Sequence, residues 1–311
     1  MRARCAAVLA CVAAVVQVAT AQPVFKAGVD LVTVAATVSG RDRTAPESPL
    51  TAADFTVREN GELHNVEVLT RERRPVSLAI VLDSSGSMDM DLRKSLGMDA
   101  VRRAIAILEP GDEVCVVLFA QQAEVVLPWS PIEKMPPLNW STWKPFGWSS
   151  LLDGVRVAVS MFDRSSNPNR AALIVSDGFE NSSRVSLSQV VRSREQSEVV
   201  AYGLAIARNL ARRRPMAAAG QSESAAIGLG APPDDYLQEL VDGTGGTLSH
   251  IQDASELERS INRIAEEWRN QYVIGYVPSK APDRRYRRIK VDVERRGLSV
   301  RHRQGYLAAP K

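Results

Sequence analysis

In the middle of the chain, short apolar runs alternate with stretches of helical period. The runs Ser77–Asp83, Glu113–Phe119, Arg170–Ser176 and Glu198–Leu204, with a shorter Thr247–His250, are bounded by polar and turn residues. Near-continuous apolar runs of this length are what strands buried on both faces require. Between them, Asp91–Leu108, Leu151–Phe162, Ser186–Glu195, Asp234–Asp242 and Ser255–Trp268 carry helical spacing, and Pro110-Gly111 closes the first helix. The alternation predicts an α/β unit over residues 75–270: a doubly wound, mainly parallel sheet with helices on both faces. Glu124–Leu127 reads as an added antiparallel edge strand.

The flanks follow a different period. Val29–Val38 and Asp54–Glu59 are rich in β-branched residues, and Asn65–Leu69 follows the hairpin-forming dipeptide Asn60-Gly61. After Trp268, Gln271–Val277, Arg287–Glu294 and Leu298–Arg303 again read as strands, with Asp283–Arg288 a solvated hairpin loop. The N-terminal β segment (residues 22–74) and the C-terminal one (residues 271–311) are expected to pair into one accessory β domain, since the ends of a domain often lie close together.

Two insertions break the regularity. Residues 128–148 hold Trp129, Trp140, Trp143 and Trp148, four of the chain's five tryptophans, among several prolines. Most of these rings are expected to pack the loop onto the sheet, with Trp148 the candidate for a ligand-binding rim. Arg208–Pro233 has a basic end and an Ala/Gly/Ser-rich tail, the composition of a loop.

Composition narrows the class. The 311 residues are 45% hydrophobic, enough for a full core, and a formal net charge of +3 offers no polyelectrolyte argument for nucleic acid. Arg2 and Arg4, the apolar run Cys5–Val18 and the small residues Ala19-Thr20-Ala21 have the form of a secretory signal peptide over residues 1–21. Val8-Leu9-Ala10-Cys11 only loosely has the form of a lipoprotein signal. The mature chain would be periplasmic or extracellular, without a membrane span. Of three cysteines only Cys115 would remain, so no intramolecular disulfide supports the fold.

The candidate chemistry sits in Ile80-Val81-Leu82-Asp83-Ser84-Ser85-Gly86-Ser87. A buried parallel strand here ends in a carboxylate and alternating hydroxyls, at the strand end where open α/β sheets bind ligands. Asp83, Ser85 and Ser87 are hard oxygen donors, suited to Mg²⁺ or Ca²⁺ rather than zinc. Asp83-x-Ser85-x-Ser87 resembles the metal-ion-dependent adhesion site of von Willebrand factor type A (VWA) domains. The family's second segment is similar to Gly147-Trp148-Ser149-Ser150-Leu151-Leu152-Asp153, with Ser149 in place of threonine. Its third is similar to the run ending in Ser176-Asp177-Gly178. The flanking Asp30–Val34, Asp54–Val57, Tyr272-x-x-Gly275-Tyr276 and Arg301-His302-Arg303-x-Gly305-Tyr306 resemble the exported "VWFA-related" proteins described mainly from acidobacteria.

The resemblance implies a Rossmann-like VWA fold and a Mg²⁺ site, with Ca²⁺ or Mn²⁺ as alternatives. Ser85, Ser87 and Ser149 would bind the metal directly, and Asp83 and Asp177 through water. It further implies a protein partner that offers an acidic residue to the open coordination position. Ser149 lacks the methyl that fixes a threonine rotamer, so somewhat weaker binding is expected. The other readings are a metal-independent scaffold in an envelope or extracellular assembly, in which Asp83 and Ser87 merely cap backbone amides, and a metal-assisted hydrolase. The sequence lacks a Gly-x-Ser-x-Gly elbow, a nucleotide-binding glycine loop and an evident general base, so it is not expected to be an enzyme.

Overall fold

The computed structural model describes residues 31–40, 46, 48–139, 143–207 and 233–309. Residues 1–21 (expected to be a signal peptide), Trp140 and nearly all of the Arg208–Pro233 insertion lie outside them. In chain order, the N-terminal flank forms β1 (Val32–Ser39), β2 (Phe55–Glu59), β3 (Glu62–His64) and β4 (Val68–Thr70). The α/β unit follows as β5 (Val76–Asp83), α1 (Asp91–Ala106), β6 (Glu113–Phe119), β7 (Ala123–Pro131) and α2 (Leu151–Met161). It continues through β8 (Asn169–Ser176), α3 (Leu187–Ser197), β9 (Val200–Ile206), α4 (Pro233–Val241), β10 (Leu248–Ile251) and α5 (Ala254–Asn270). The C-terminal flank adds β11 (Tyr272–Tyr276), β12 (Tyr286–Val293), β13 (Ser299–His302) and β14 (Gly305–Leu307).

The central sheet has six strands in the order β10-β9-β8-β5-β6-β7, with every pair parallel except β6–β7. All eight residues of β5 are buried, because the strand is covered on both faces. Leu78, Ile80 and Leu82 face a layer built on α1 and α5, where Leu96, Val101, Ile261 and Trp268 pack. Ala79 and Val81 face the other layer, with Leu151 and Val155 of α2, Val190 of α3 and Leu237 of α4. The chain leaves β5 for β6 on one side and later places β8 on the other. This reversal puts the ligand-binding crevice of such sheets at the carboxyl end of β5.

The flanks form two four-stranded sheets, in the orders β13-β1-β11-β4 and β14-β12-β2-β3. They share a core that includes Val34, Val57, Tyr272, Ile274, Ile289 and Val291. The hairpin differs from expectation. Asn60 and Gly61 both adopt positive φ, which sets Glu62 directly opposite Glu59, so 62–64 pairs with β2 and 68–70 leaves to pair with β11. Glu198 is not the start of β9 but the left-handed cap of α3. Arg287 is not solvated either: it is buried, and its guanidinium donates to Glu59 Oε1 at 3.2 Å and to the carbonyl of Ala281 at 2.6 Å. Tyr276 and Tyr306 donate to Glu59 Oε2 at 2.8 and 2.9 Å. While the Tyr272 hydroxyl accepts from the Leu50 amide at 3.2 Å, two of the three motif tyrosines of the C-terminal flank therefore close on one buried carboxylate. Gly305 is required beside it, since a Cβ there would lie 2.4 Å from the carbonyl oxygen of Arg287.

Candidate metal centre

Three loops meet at the carboxyl ends of β5 and β8. The first, after β5, is held by Asp83 itself: its Oδ1 accepts from the Ser85 amide at 2.8 Å, and its Oδ2 from the Ser176 hydroxyl at 2.6 Å. Ser85 Oγ and Ser87 Oγ stand 3.0 Å apart. The alternation of residues 83–87 thus brings two hydroxyls together above one carboxylate, while Ser84 turns away to accept from the Trp143 indole at 2.9 Å.

The second loop is fastened to the first through its backbone. The Phe146 amide donates to the Ser84 carbonyl, and the Gly86 amide to the Gly147 carbonyl, both at 2.9 Å. Gly147 holds φ of +81°, a conformation natural to glycine, as the loop turns into Ser149. Ser149 is buried and donates its hydroxyl to the Phe179 carbonyl at 2.7 Å. Its lone pairs therefore remain available to a cation. The third loop, after β8, returns these contacts: Asn181 Oδ1 accepts from the Ser149 amide at 2.9 Å, and Glu180 Oε2 from the Leu152 amide at 2.9 Å.

Asp177, buried on the third loop, is near enough to Asp83 to act on its charge. Burial, reinforced by Asp177, pushes the Asp83 carboxyl up to about 7, against the hydrogen bonds from Ser176 and Ser85. The nearby cation is Arg93 of α1, whose guanidinium lies 3.2 Å from Asp177 Oδ2 and donates to the Ser87 carbonyl at 2.6 Å. Arg93 pairs with Asp177, and Asp83 is left with a neighbouring carboxylate, so an added cation would be favoured. The donors are hydroxyl and carboxylate oxygens, the set that hard dications take. Among the described residues no group of three or more His, Cys, Asp or Glu is gathered for a metal. Any metal here would depend on the serines.

Asp83, Ser85 and Ser87 stand on the first loop, Ser149 on the second and Asp177 on the third, the loops being joined by hydrogen bonds, and Trp148 is exposed next to Ser149. Of the capping alternative, Asp83 does accept from the Ser85 amide, whereas the N-cap of α1 is Met90, with no side-chain cap. Trp129 and Trp143 pack inward, Trp129 donating to the Met161 carbonyl at 2.7 Å. Sequence reasoning missed Arg93, Ser176, Glu180 and Asn181. Ser176 adjoins Asp177 and was within reach of the motif, whereas Arg93 has no signal on its helix.

A mixed, mostly parallel sheet covered by helices on both faces, with three oxygen-bearing loops at one end, defines a VWA-type α/β fold. Residues 78–180 match the family model described as "von Willebrand factor type A domain", so this segment carries such a domain. No curated protein matches the chain. Among solved structures, "von Willebrand factor type A from Catenulispora acidiphila" is similar at 13% identity, covering 89% of this chain and 73% of that one, with a TM-score of 0.49. The "conserved hypothetical protein BatB from Bacteroides thetaiotaomicron" is similar at 15% identity, 62% and 98% coverage and a TM-score of 0.45. The "PilB minor pilin from Streptococcus sanguinis" is similar at 12% identity, 64% and 62% coverage and a TM-score of 0.43. No helix among the described residues is long and apolar enough to cross a membrane.

Proposed function

We propose that the chain is an exported, metal-dependent protein-binding module, acting in the periplasm or outside the cell. The observation that supports this reading is the pairing of the Ser85 and Ser87 hydroxyls, 3.0 Å apart, on a loop that carries buried Asp83 and is bonded to the loop of buried Ser149. Asp83 and buried Asp177 are also close enough to repel. Ser85, Ser87 and Ser149 would hold Mg²⁺ directly, with Ca²⁺ or Mn²⁺ as alternatives, while Asp83 and Asp177 act through water. Neutral direct donors leave a dication free to take a further anionic oxygen, here an acidic side chain of a partner protein. We read no catalytic role: both carboxylates are committed, which leaves metal-assisted hydrolysis without a base. Export rests on residues 1–21, and the likeness of the flanks to the exported "VWFA-related" proteins supports it.

One observation favours a second reading, a metal-independent scaffold. Arg93 already supplies a positive charge to Asp177. Calorimetric titration with Mg²⁺ and Mn²⁺, beside Asp83→Ala, separates the two. Saturable binding that the substitution abolishes supports the metal site, and a partner captured equally with and without chelator supports the scaffold.

A further inference from the structure

The two segments that build the front of the metal centre also carry an apolar rim. Phe146 is 76% exposed, Trp148 61%, Met90 49% and Leu92 45%. These are four of the eight large hydrophobic side chains exposed among the described residues. Each falls within five positions of Ser87 or Ser149. The same segments bury Met88 completely and Trp143 almost so, so they do not expose apolar groups for want of a core. The backbone bonds that join Phe146 to Ser84 and Gly86 to Gly147 fasten the rim to the serines. Single exposed hydrophobics are ordinary on a protein surface, but a cluster around a polar centre marks a contact face.

The geometry points to a ligand in two parts: a protein segment whose carboxylate meets the cation while an adjacent aromatic or branched aliphatic side chain covers the Phe146–Trp148 and Met90–Leu92 rim. This rests on the metal-dependent reading above and adds what that reading lacks, a source of selectivity. A lone carboxylate is common to every acidic surface and to small organic acids. An apolar side chain beside it is not, and aromatic anchors of the Trp148 kind carry much of the affinity at interfaces.

The test uses the full mature chain and three capped pentapeptides: one aspartate between phenylalanine and leucine, one aspartate between glycines, and asparagine between phenylalanine and leucine. Binding is read by fluorescence anisotropy with Mg²⁺ and with chelator, beside calorimetry with Mg²⁺ alone. The expected result is that the apolar-flanked aspartate peptide binds about tenfold more tightly than the glycine-flanked one, and only with Mg²⁺. The asparagine peptide should not bind. Phe146→Ser with Trp148→Ser should erase the tenfold difference, and Met90→Ser with Leu92→Ser replaces that variant if it fails to bind Mg²⁺. Saturable Mg²⁺ binding with equal or undetectable affinity for the two aspartate peptides overturns this inference and leaves the metal reading standing. Binding of the asparagine peptide, or cosedimentation with phosphatidylcholine vesicles that peptide does not compete away, overturns it in favour of a purely apolar or membrane contact. Failure to bind Mg²⁺ overturns both readings.

Discussion

Two buried carboxylates in this molecule live in opposite circumstances. Glu59, between the accessory sheets, has a guanidinium on one oxygen and two tyrosine hydroxyls on the other. Asp83, at the end of β5, has hydrogen bonds from Ser85 and Ser176 but no cation among the groups that set its charge, and a second carboxylate lies close by. The first is complete within the protein. The second carries unpaid charge, at the strand end where ligands bind. Burial of an ionisable group therefore does not distinguish structure from function; its state of compensation does.

The comparison is most exposed to Glu59→Ala. Removing the carboxylate takes from Arg287 its buried partner and leaves only the exposed Asp283, 3.4 Å away, and we expect the free energy of unfolding to fall by about 3 kcal/mol in a urea titration. A loss under ~1 kcal/mol would mean that the accessory sheets do not depend on this knot. At the other site, Mg²⁺ at about a hundred times its Kd should stabilise the wild type by roughly 2.7 kcal/mol and leave Asp83→Ala unmoved. An unchanged melting temperature with Mg²⁺ would put Asp83 in the same class as Glu59. Without metal, Asp83→Asn should change stability by less than about 1 kcal/mol, because relief of repulsion from Asp177 offsets weakened hydrogen bonds. A large destabilisation would show that Asp83 holds the loop rather than an ion.

The smallest effect concerns His302, whose imidazole is held below its ordinary value by burial and accepts from the Val291 amide at 3.0 Å. The unfolded chain then takes up the proton first as pH falls. Stability should therefore decline from about pH 6.5 downward and be fully present above it. The difference between wild type and His302→Gln in melting temperature across that window isolates the contribution. Equal slopes in the two proteins would assign the pH dependence to other groups.

How much of this was legible in the sequence depended on how locally it was written. The strand β5 and its three following oxygens are one contiguous run, so period and motif reveal them together. The second and third loops also announce themselves, since each continues directly into or out of an apolar element. Arg93 does not: nothing on α1 says that its guanidinium reaches a loop 84 residues further along the chain. The Glu59 knot is more remote still, joining residues 217 and 247 positions apart. An arginine-rich stretch such as 284–288 looks solvated until a distant carboxylate is known to claim Arg287. That the accessory strands divide into two sheets was hidden for a related reason. The two-residue turn at Asn60-Gly61 spends 62–64 on the hairpin, and so frees 68–70 for a different neighbour.

That neighbour has a consequence for the order of assembly. Strands β4 and β11 lie side by side, and the whole α/β unit is the excursion between them. As the chain emerges from a ribosome or an export channel, β1 waits for partners that are made last, β11 and β13. The α/β unit can complete its own core first, because its strands pair among themselves. The flanks pay the long-range closure afterwards, with β1 an unshielded edge in the interval. A truncation that removes β11 onward would therefore strand β1 as a sticky surface while leaving every metal-loop residue in the chain.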